Sequence, residues 1–286
     1  MVTPGTGGVA DFVARLIAPG LASSLGQPVI VDNRPSAIVP GEIVSRALPD
    51  GYTLLAIGPP LWIGPLLEKT PYDPVKDFAP ITLVGTAPGV LVIQPSLPIK
   101  SVRELIEYAR SKPGVLNYAS IATGSATHLA AELFKAMAGV DFVRVNYKGA
   151  AASVNDLLGG QVQLMFASAV SVVPHVKSGK LRALGVTSAE SSALVPGLPA
   201  IGASGLPGYE SIAMYGVLAP AATPLTVINR LNREIVTMIK LPDATEKFLN
   251  VGVEIVGSAP EYLSLKMKSD MARMGKVIKD AGIRAE

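Results

Sequence analysis

Between Ser120 and His128 the chain reads SIATGSATH, four hydroxyls, one glycine and one imidazole within nine residues. Two chemistries suit such a set. Ser125 with His128 offers a nucleophile beside a base, although no G-x-S-x-G elbow surrounds them. The other chemistry is capture of an anion. A strand that runs through a hydroxyl-rich turn into a helix leaves backbone N–H groups without partners at the helix start. The helix dipole behind them favours negative charge, and Ser120, Thr123, Ser125 and Thr127 add hydroxyl donors around Gly124. Ser125 or Thr127 would equally serve as an ordinary helix cap. A second glycine turn, TPGTGG, opens the chain and leads into a helix with Asp11 in its first turn, where a carboxylate suits the dipole. It lacks the G-x-G-x-x-G spacing and no Walker lysine follows, so a nucleotide site is not indicated. Tyr147 and Lys148 end a strand just before Gly149 and Ala150, placed either to aim a phenol and a cation at a ligand or simply as strand-end polarity. Trp62 and Tyr215 stand near loop or strand ends and could wall a pocket or pack between lobes. The two histidines, His128 and His175, are too few for a histidine metal site, and no H-E-x-x-H spacing exists. His128 reads as a helix-start residue bonded to nearby backbone, and His175, after Pro174, as a structural residue at another helix start.

The elements that hold these residues are legible from periodicity. VLNYA is a strand ending at Ser120, and Leu129, Leu133, Phe134 and Met137 recur at helical spacing up to Ala138. DFVRVNY is the next strand, with Phe142, Val143, Val145 and Tyr147 among polar positions. Earlier, Phe12, Leu16 and Ile17 mark a helix that Pro19 and Gly20 disturb and Gly26 ends, and PVIVDN is expected to be a short buried strand. The strand YTLLAIG, a loop carrying Trp62 and the strand VLVIQ follow. SVRELIEYARSK is an amphipathic helix with a capping box from Ser101 to Glu104. A helix from Ala151 to Leu158, the strand QVQLMFA, a short helix at PHVKSG and the strand LRALGVT come next, then a proline-broken loop, the strand YGVLAP and three C-terminal helices. Strands and helices alternate through most of the chain, which argues for an α/β architecture with mixed, mostly parallel sheets flanked by helices. Gln94–Lys100 and the segment from Ser211 to Pro220 read as crossings between two lobes.

Composition narrows the classes. The chain has 286 residues, 49% apolar and only 16% charged, enough for a sizeable core and incompatible with disorder. No apolar run approaches the length of a membrane span. Without a single cysteine, disulfides and thiol-based sites are excluded. The net charge of +3 is spread out, with no basic cluster, so nucleic acid is not an expected partner. Almost no strand precedes the first glycine turn, and no basic start or apolar leader follows Met1. The expectation is a trimmed mature domain or a start inside a longer reading frame.

Ten segments in order carry a resemblance: GGVADFVARL, LGQPVIVDNRP, PDGYTLL, PYDPVKDFAPITLV, LNYASIATGSATHLAAELF, VNYKGAAASVNDLLGGQVQLMF, PHVKSGKLRALGVTS, LPGYE, GVLAPAATP and KVIKDAGI. Together they cover nearly the whole chain, which resembles the periplasmic solute-binding receptors of tripartite tricarboxylate transporters, the Bug-type proteins. The resemblance implies a two-lobed, type II periplasmic-binding-protein-like α/β fold. Residues 1–95 with 217–286 would form one lobe and 96–216 the other, with the ligand cleft between them. It further implies capture of a small organic anion, usually a carboxylate, without catalysis or a cofactor. The chain would be a periplasmic monomer whose partners are membrane permease subunits. By position, Thr6, Gly7, Gly8 and Val9 match the first ligand loop, with Asp11 at the helix start. Ser120, Ala122, Thr123, Gly124, Ser125 and His128 match the second. Tyr147, Lys148 and Gly149 match a later strand-end motif, Ala167 and Ser168 the next strand end, and Tyr215 is a further candidate wall.

Three departures from the family pattern bear on the ligand. Val9 and Ala122 stand where glycine is common, so backbone approach is tighter. SAIVPGE replaces a glycine-rich segment and is slightly shorter, altering one wall. Ala167 occupies a position often held by aspartate, which argues against an amino-acid ligand. Two other functions compete with transport: a ligand sensor signalling to a membrane kinase, and an esterase-like enzyme using Ser125 and His128.

Overall fold

The structure, a computed structural model, describes residues 1–36 and 38–284. From the N-terminus it forms β1 (Val2–Thr3), α1 (Val9–Leu25), β2 (Asp32–Asn33), α2 (Ile38–Ser45), β3 (Leu55–Ile57), α3 (Pro60–Leu67) and the long β4 (Phe78–Ile93). Then come α4 (Val102–Ser111), β5 (Asn117–Ser120), α5 (Ala126–Ala138), β6 (Val143–Asn146), α6 (Ala150–Leu158), β7 (Leu164–Ser168), α7 (Ala169–Lys177) and β8 (Arg182–Val186). The chain ends with β9 (Ile212–Pro220), α8 (Leu225–Ile239), α9 (Pro242–Asn250), β10 (Glu254–Ile255) and α10 (Pro260–Asp280). This is the expected α/β fold of mixed sheets flanked by helices. Contacts divide it into two compact units. The first holds Met1–Thr86 and Ala213–Gly275; the second holds Ala87–Ile212 and the end of α10 from Lys276. The first change of unit therefore falls inside β4, upstream of the expected crossing at Gln94–Lys100.

In the first unit, β1 pairs in parallel with both β2 and β3, and β9 joins β3 antiparallel. A strand thus does precede the first glycine turn, although it is only two residues long. That brevity also explains β2: of the expected strand PVIVDN only Asp32–Asn33 finds a partner in β1, and Ile30 remains 73% exposed. α1 continues through Pro19 and Gly20 to a left-handed cap at Gly26, instead of being disturbed there. Its buried face (Ala14, Ile17, Ala18, Leu21) outweighs the one hydrogen bond that Pro19 cannot make. Gly20 has a packing reason: a Cβ there would lie 1.7 Å from Met238 Sδ on α8. Trp62 lies on helix α3, not on a loop, and is fully buried; its indole N–H donates to Asp270 Oδ2 at 2.8 Å. It is a core residue of this unit.

In the second unit, β5 pairs in parallel with β6 and β7, while β4 runs antiparallel to β7 and β8. Alternation along β7 and β5 sends residues to two faces. Ala119, Met165 and Ala167 enter a core with Val154, Leu157 and Val172. On the other side Phe134, Phe142, Phe166 and Tyr209 pack ring to ring, and the Tyr209 hydroxyl donates to the Ala130 carbonyl at 2.9 Å. Two local expectations change here. α7 starts at Ala169, so Pro174 lies inside it and His175 falls in its last turn, not its first. In the capping box of α4, Ser101 Oγ accepts from Glu104 N–H as expected, but Glu104 reaches back to the Lys100 N–H at 2.6 Å.

Candidate ligand-binding site

The first glycine loop is tied down by one carboxylate. Asp11, 4% exposed, accepts the Gly7 N–H at 2.9 Å with one oxygen, and Asn33 Nδ2 at 2.8 Å and Arg15 Nε at 2.9 Å with the other. Asn33 also donates to the Pro4 carbonyl and accepts from Arg15, so Pro4, Gly7, Asp11, Arg15 and Asn33 form one network. Burial by itself opposes the charge on Asp11. The hydrogen bonds from Gly7, Asn33 and Arg15, with the Arg15 charge, outweigh it and hold the carboxyl below its ordinary range. Gly7 must be glycine because its φ is +86°. Gly8, by contrast, has an ordinary φ of −80° and caps α1 with no side chain. A Cβ added to it would meet nothing nearer than the Gly5 carbonyl at 3.7 Å. Thr6, Gly7 and Gly8 are exposed and Val9 is half-buried, so the first-turn amides of α1 face an open approach.

The second loop is built from hydroxyls. Ser125 is the N-cap of α5, its Oγ accepting from the His128 N–H, and Thr127 Oγ1 accepts from the Ile121 N–H at 3.2 Å. Ser125 Oγ and Thr127 Oγ1 are themselves 3.0 Å apart. Gly124 takes φ +75°, and its N–H donates to His128 Nδ1 at 3.1 Å. The imidazole therefore accepts at Nδ1 and clamps its own loop. That is the backbone role expected for His128, and it removes Nδ1 from any part as a base toward Ser125. Ser120 is fully buried, and its hydroxyl accepts from Arg144 Nε at 2.7 Å. Ala122 is exposed; Ile121, Thr123, Gly124 and Ser125 are half-buried. The Ala126 and Thr127 amides, in the first turn of α5, have no acceptor within the helix.

One of the later candidates lies beside this loop. The Tyr147 N–H donates to the Ser120 carbonyl at 2.9 Å, which sets the end of β6 beside the start of the loop. The Tyr147 phenol is engaged rather than free. It donates to Asp156 Oδ2 at 2.8 Å, and burial together with that bond pushes it up to about 12. Lys148 is exposed. Gly149 caps α6 without a side chain, and nothing lies within 4 Å of an added Cβ. Ala167 is buried among the apolar side chains of its unit, which leaves only its backbone for a ligand, while Ser168 is exposed at the start of α7. Helices α3, α8 and α9 also lack side-chain caps, so the missing cap alone does not mark a site. At α1 and α6 it coincides with a glycine whose added Cβ would meet no close neighbour. Tyr215 belongs to the first unit, on β9; its ring lies against Gly58, and burial pushes its phenol up to about 12. Among the described residues no group of three or more metal-ligating side chains occurs, and no helix is long and apolar enough to cross a membrane.

Sequence reasoning missed the residues that brace both loops: Arg15 and Asn33 for the first, and Arg144 for the second. Asn33 and Arg144 left a faint signal, as polar residues inside otherwise strand-like runs.

The chain matches the tripartite tricarboxylate transporter family receptor over residues 13–283. It belongs to that family. The ordered motifs therefore pointed to the right relatives, and members of this family are solute-binding receptors. Three solved structures make the likeness concrete. One from R. palustris with adipate is 34% identical, with TM-score 0.79 over 100% of this chain and 98% of the other. The periplasmic binding protein BugD is 31% identical, with TM-score 0.75 over 100% and 98%. MatC from Rhodopseudomonas palustris, with bound malate, is 28% identical, with TM-score 0.75 over 97% and 98%.

Proposed function

We propose that this tripartite tricarboxylate receptor captures a small aliphatic carboxylate in the periplasm and delivers it to membrane permease subunits. The observation that carries the reading is the loop from Ser120 to His128. Hydroxyls and first-turn amides of α5 gather there at one strand end, with Arg144 directly beneath. Such donors replace water around a carboxylate and suit a helix N-terminus. The adipate and malate held by two relatives support dicarboxylates as the class to test first. Thr6, Gly7, Gly8 and Val9 supply the second set of amides, and the two compact units are the bodies that close on the ligand. Asp11 serves the first loop as an anchor for Gly7 and does not meet the ligand itself. Lys148, Ala167 and Ser168 contribute from neighbouring strand ends, through an exposed cation, a backbone group and a hydroxyl.

A thermal-shift screen with aliphatic dicarboxylates, tricarboxylates and aromatic acids tests this reading. At a hundredfold excess over Kd, a ligand specific to the folded state adds about 2.7 kcal/mol, a rise in Tm of several degrees. A saturable rise with dicarboxylates is expected, with a smaller radius of gyration in X-ray scattering when they are present. Melting curves indifferent to all three classes would overturn it, as would ester turnover that disappears in Ser125→Ala.

A further inference from the structure

Arg144 lies beneath the proposed site, and its charge has a further consequence for the loop above it. It lies on β6 opposite Tyr118 of β5, on the sheet face covered by α5. Its guanidinium donates from Nε to Ser120 Oγ at 2.7 Å, from Nη1 to Thr123 Oγ1 at 3.0 Å, and from Nη2 to the Ile121 carbonyl at 3.3 Å and Asn146 Oδ1 at 3.2 Å. Three of these four acceptors belong to one loop, the one that opens α5. All four are neutral.

Six other arginines that are bonded to the fold set this apart. Arg15, Arg34, Arg46 and Arg273 each pair with a carboxylate. Arg110 also binds a neutral oxygen, the Ala138 carbonyl, but that is the C-terminal end of α5, where a cation is favoured by the dipole. Arg182 holds the carbonyls of Leu97 and Ile99, away from this helix. Arg144 stands at the opposite end of α5, where the dipole is positive and a cation is disfavoured. No carboxylate pairs with it among the described residues. The nearby Glu132 accepts the Tyr118 hydroxyl at 2.6 Å and Lys135 at 3.1 Å, both on Oε1, and its ion pair is with Lys135. A half-buried cation beside a positive helix end, with no counter-ion of its own, is a costly arrangement that an arriving anion relieves. Its fork geometry also suits holding several oxygens of one loop at once, which an ammonium cannot do.

We infer that Arg144 is the positioning residue of the second loop, fixing Ser120, Ile121 and Thr123 for the ligand while its unpaired charge biases the site toward doubly charged acids. This inference rests on the receptor reading above for its ligand. Its mechanical half can be read without one. The experiment compares Arg144→Gln and Arg144→Lys with wild type in two ways. Amide hydrogen exchange of residues 121–125 is measured in the unliganded proteins, and binding is then titrated with adipate and with its monomethyl ester as probes. Faster exchange across 121–125 is expected in both variants, with α4 and β7 unchanged. Arg144→Gln should lose about tenfold or more in adipate affinity, the scale of a lost charge-assisted interaction, and most of its preference for adipate over the monoester. Arg144→Lys should lose affinity yet keep that preference, because the charge remains. Loop exchange as slow as in wild type overturns the positioning role whether or not any acid binds. Equal losses for diacid and monoester in Arg144→Gln overturn the charge role. A wild type that binds neither probe, with loosened loops in the variants, sinks the choice of ligand and leaves the positioning role standing.

Discussion

The two loops that open α1 and α5 make the same local shape with opposite electrostatics. Each is a turn with a positive-φ glycine that delivers the chain into a helix. The first is braced by an anion, Asp11, whose charge is paired with Arg15 and hydrogen-bonded by Asn33. The second is braced by a cation, Arg144, that among the described residues bonds to neutral oxygens. The first loop also leaves its helix uncapped, whereas the second spends Ser125 on the cap. The difference teaches where an anion gains most. Around α1 the local charge is already balanced and backbone amides are the main donors. At the start of α5 the Arg144 charge has no paired carboxylate among the described residues.

The comparison breaks most visibly at its buried carboxylate. Asp11→Ala strands the Gly7 N–H, Asn33 and Arg15 together, and should lower unfolding free energy by about 3 kcal/mol in urea denaturation. The pH dependence follows from the depressed carboxyl. Its folded value lies below its unfolded value, so the stabilisation is complete above the ordinary carboxylate range and fades as pH falls through the depressed value. Wild type should therefore lose more stability than Asp11→Asn on acidification, and parallel acid profiles would deny Asp11 that role. Next in size is Ser125→Ala. Losing the cap of α5 should cost about 1 kcal/mol by the same denaturation measurement, and ligand affinity should fall as the loop loosens.

Gly8→Ser sharpens the contrast with a smaller change. The backbone at Gly8 already has cap geometry and room for a side chain, so a serine there should stabilise the fold by a few tenths of a kcal/mol. It should also weaken ligand binding, because its hydroxyl competes for the amides the ligand needs. Stability and affinity rising together would show that the α1 amides do not serve the ligand. The smallest effect concerns Tyr147 beside the second loop. In Asp156→Asn its phenol should titrate below the present value of about 12, while burial, the larger cause, keeps it above the ordinary value of about 10, followed by ultraviolet absorbance. Because the folded value is raised, the stability linked to it is present below about 10 and disappears as pH climbs through about 12. A single unchanged titration would mean that Asp156 has no hold on the phenol.

Much of this was legible from residue order. The strand before Ser120, the helix to Ala138, the caps at Ser101 and Ser125 and the glycine turn ahead of Val9 are local features, set by hydrophobic period, cap chemistry and the backbone freedom of glycine. The resemblance then placed the two loops in their family. Harder to read was the length of β4. Pro88 and Gly89 look like a turn, yet the strand runs through them, because β10 pairs with its first part and β7 and β8 with its last. Likewise Trp62 gave no sign of its partner, Asp270, 208 positions away.

What the sequence by itself determined was therefore the alternation of elements, the two helix-opening turns and the class of donors in them. Only the tertiary structure decided which charged residue braces each turn. Asn33 reaches Asp11 across 22 positions, and Arg144 reaches Ser120 across 24. Those meetings depend on β2 lying beside β1 and β6 beside β5, and strand order is a property of the packed sheet that no local period encodes.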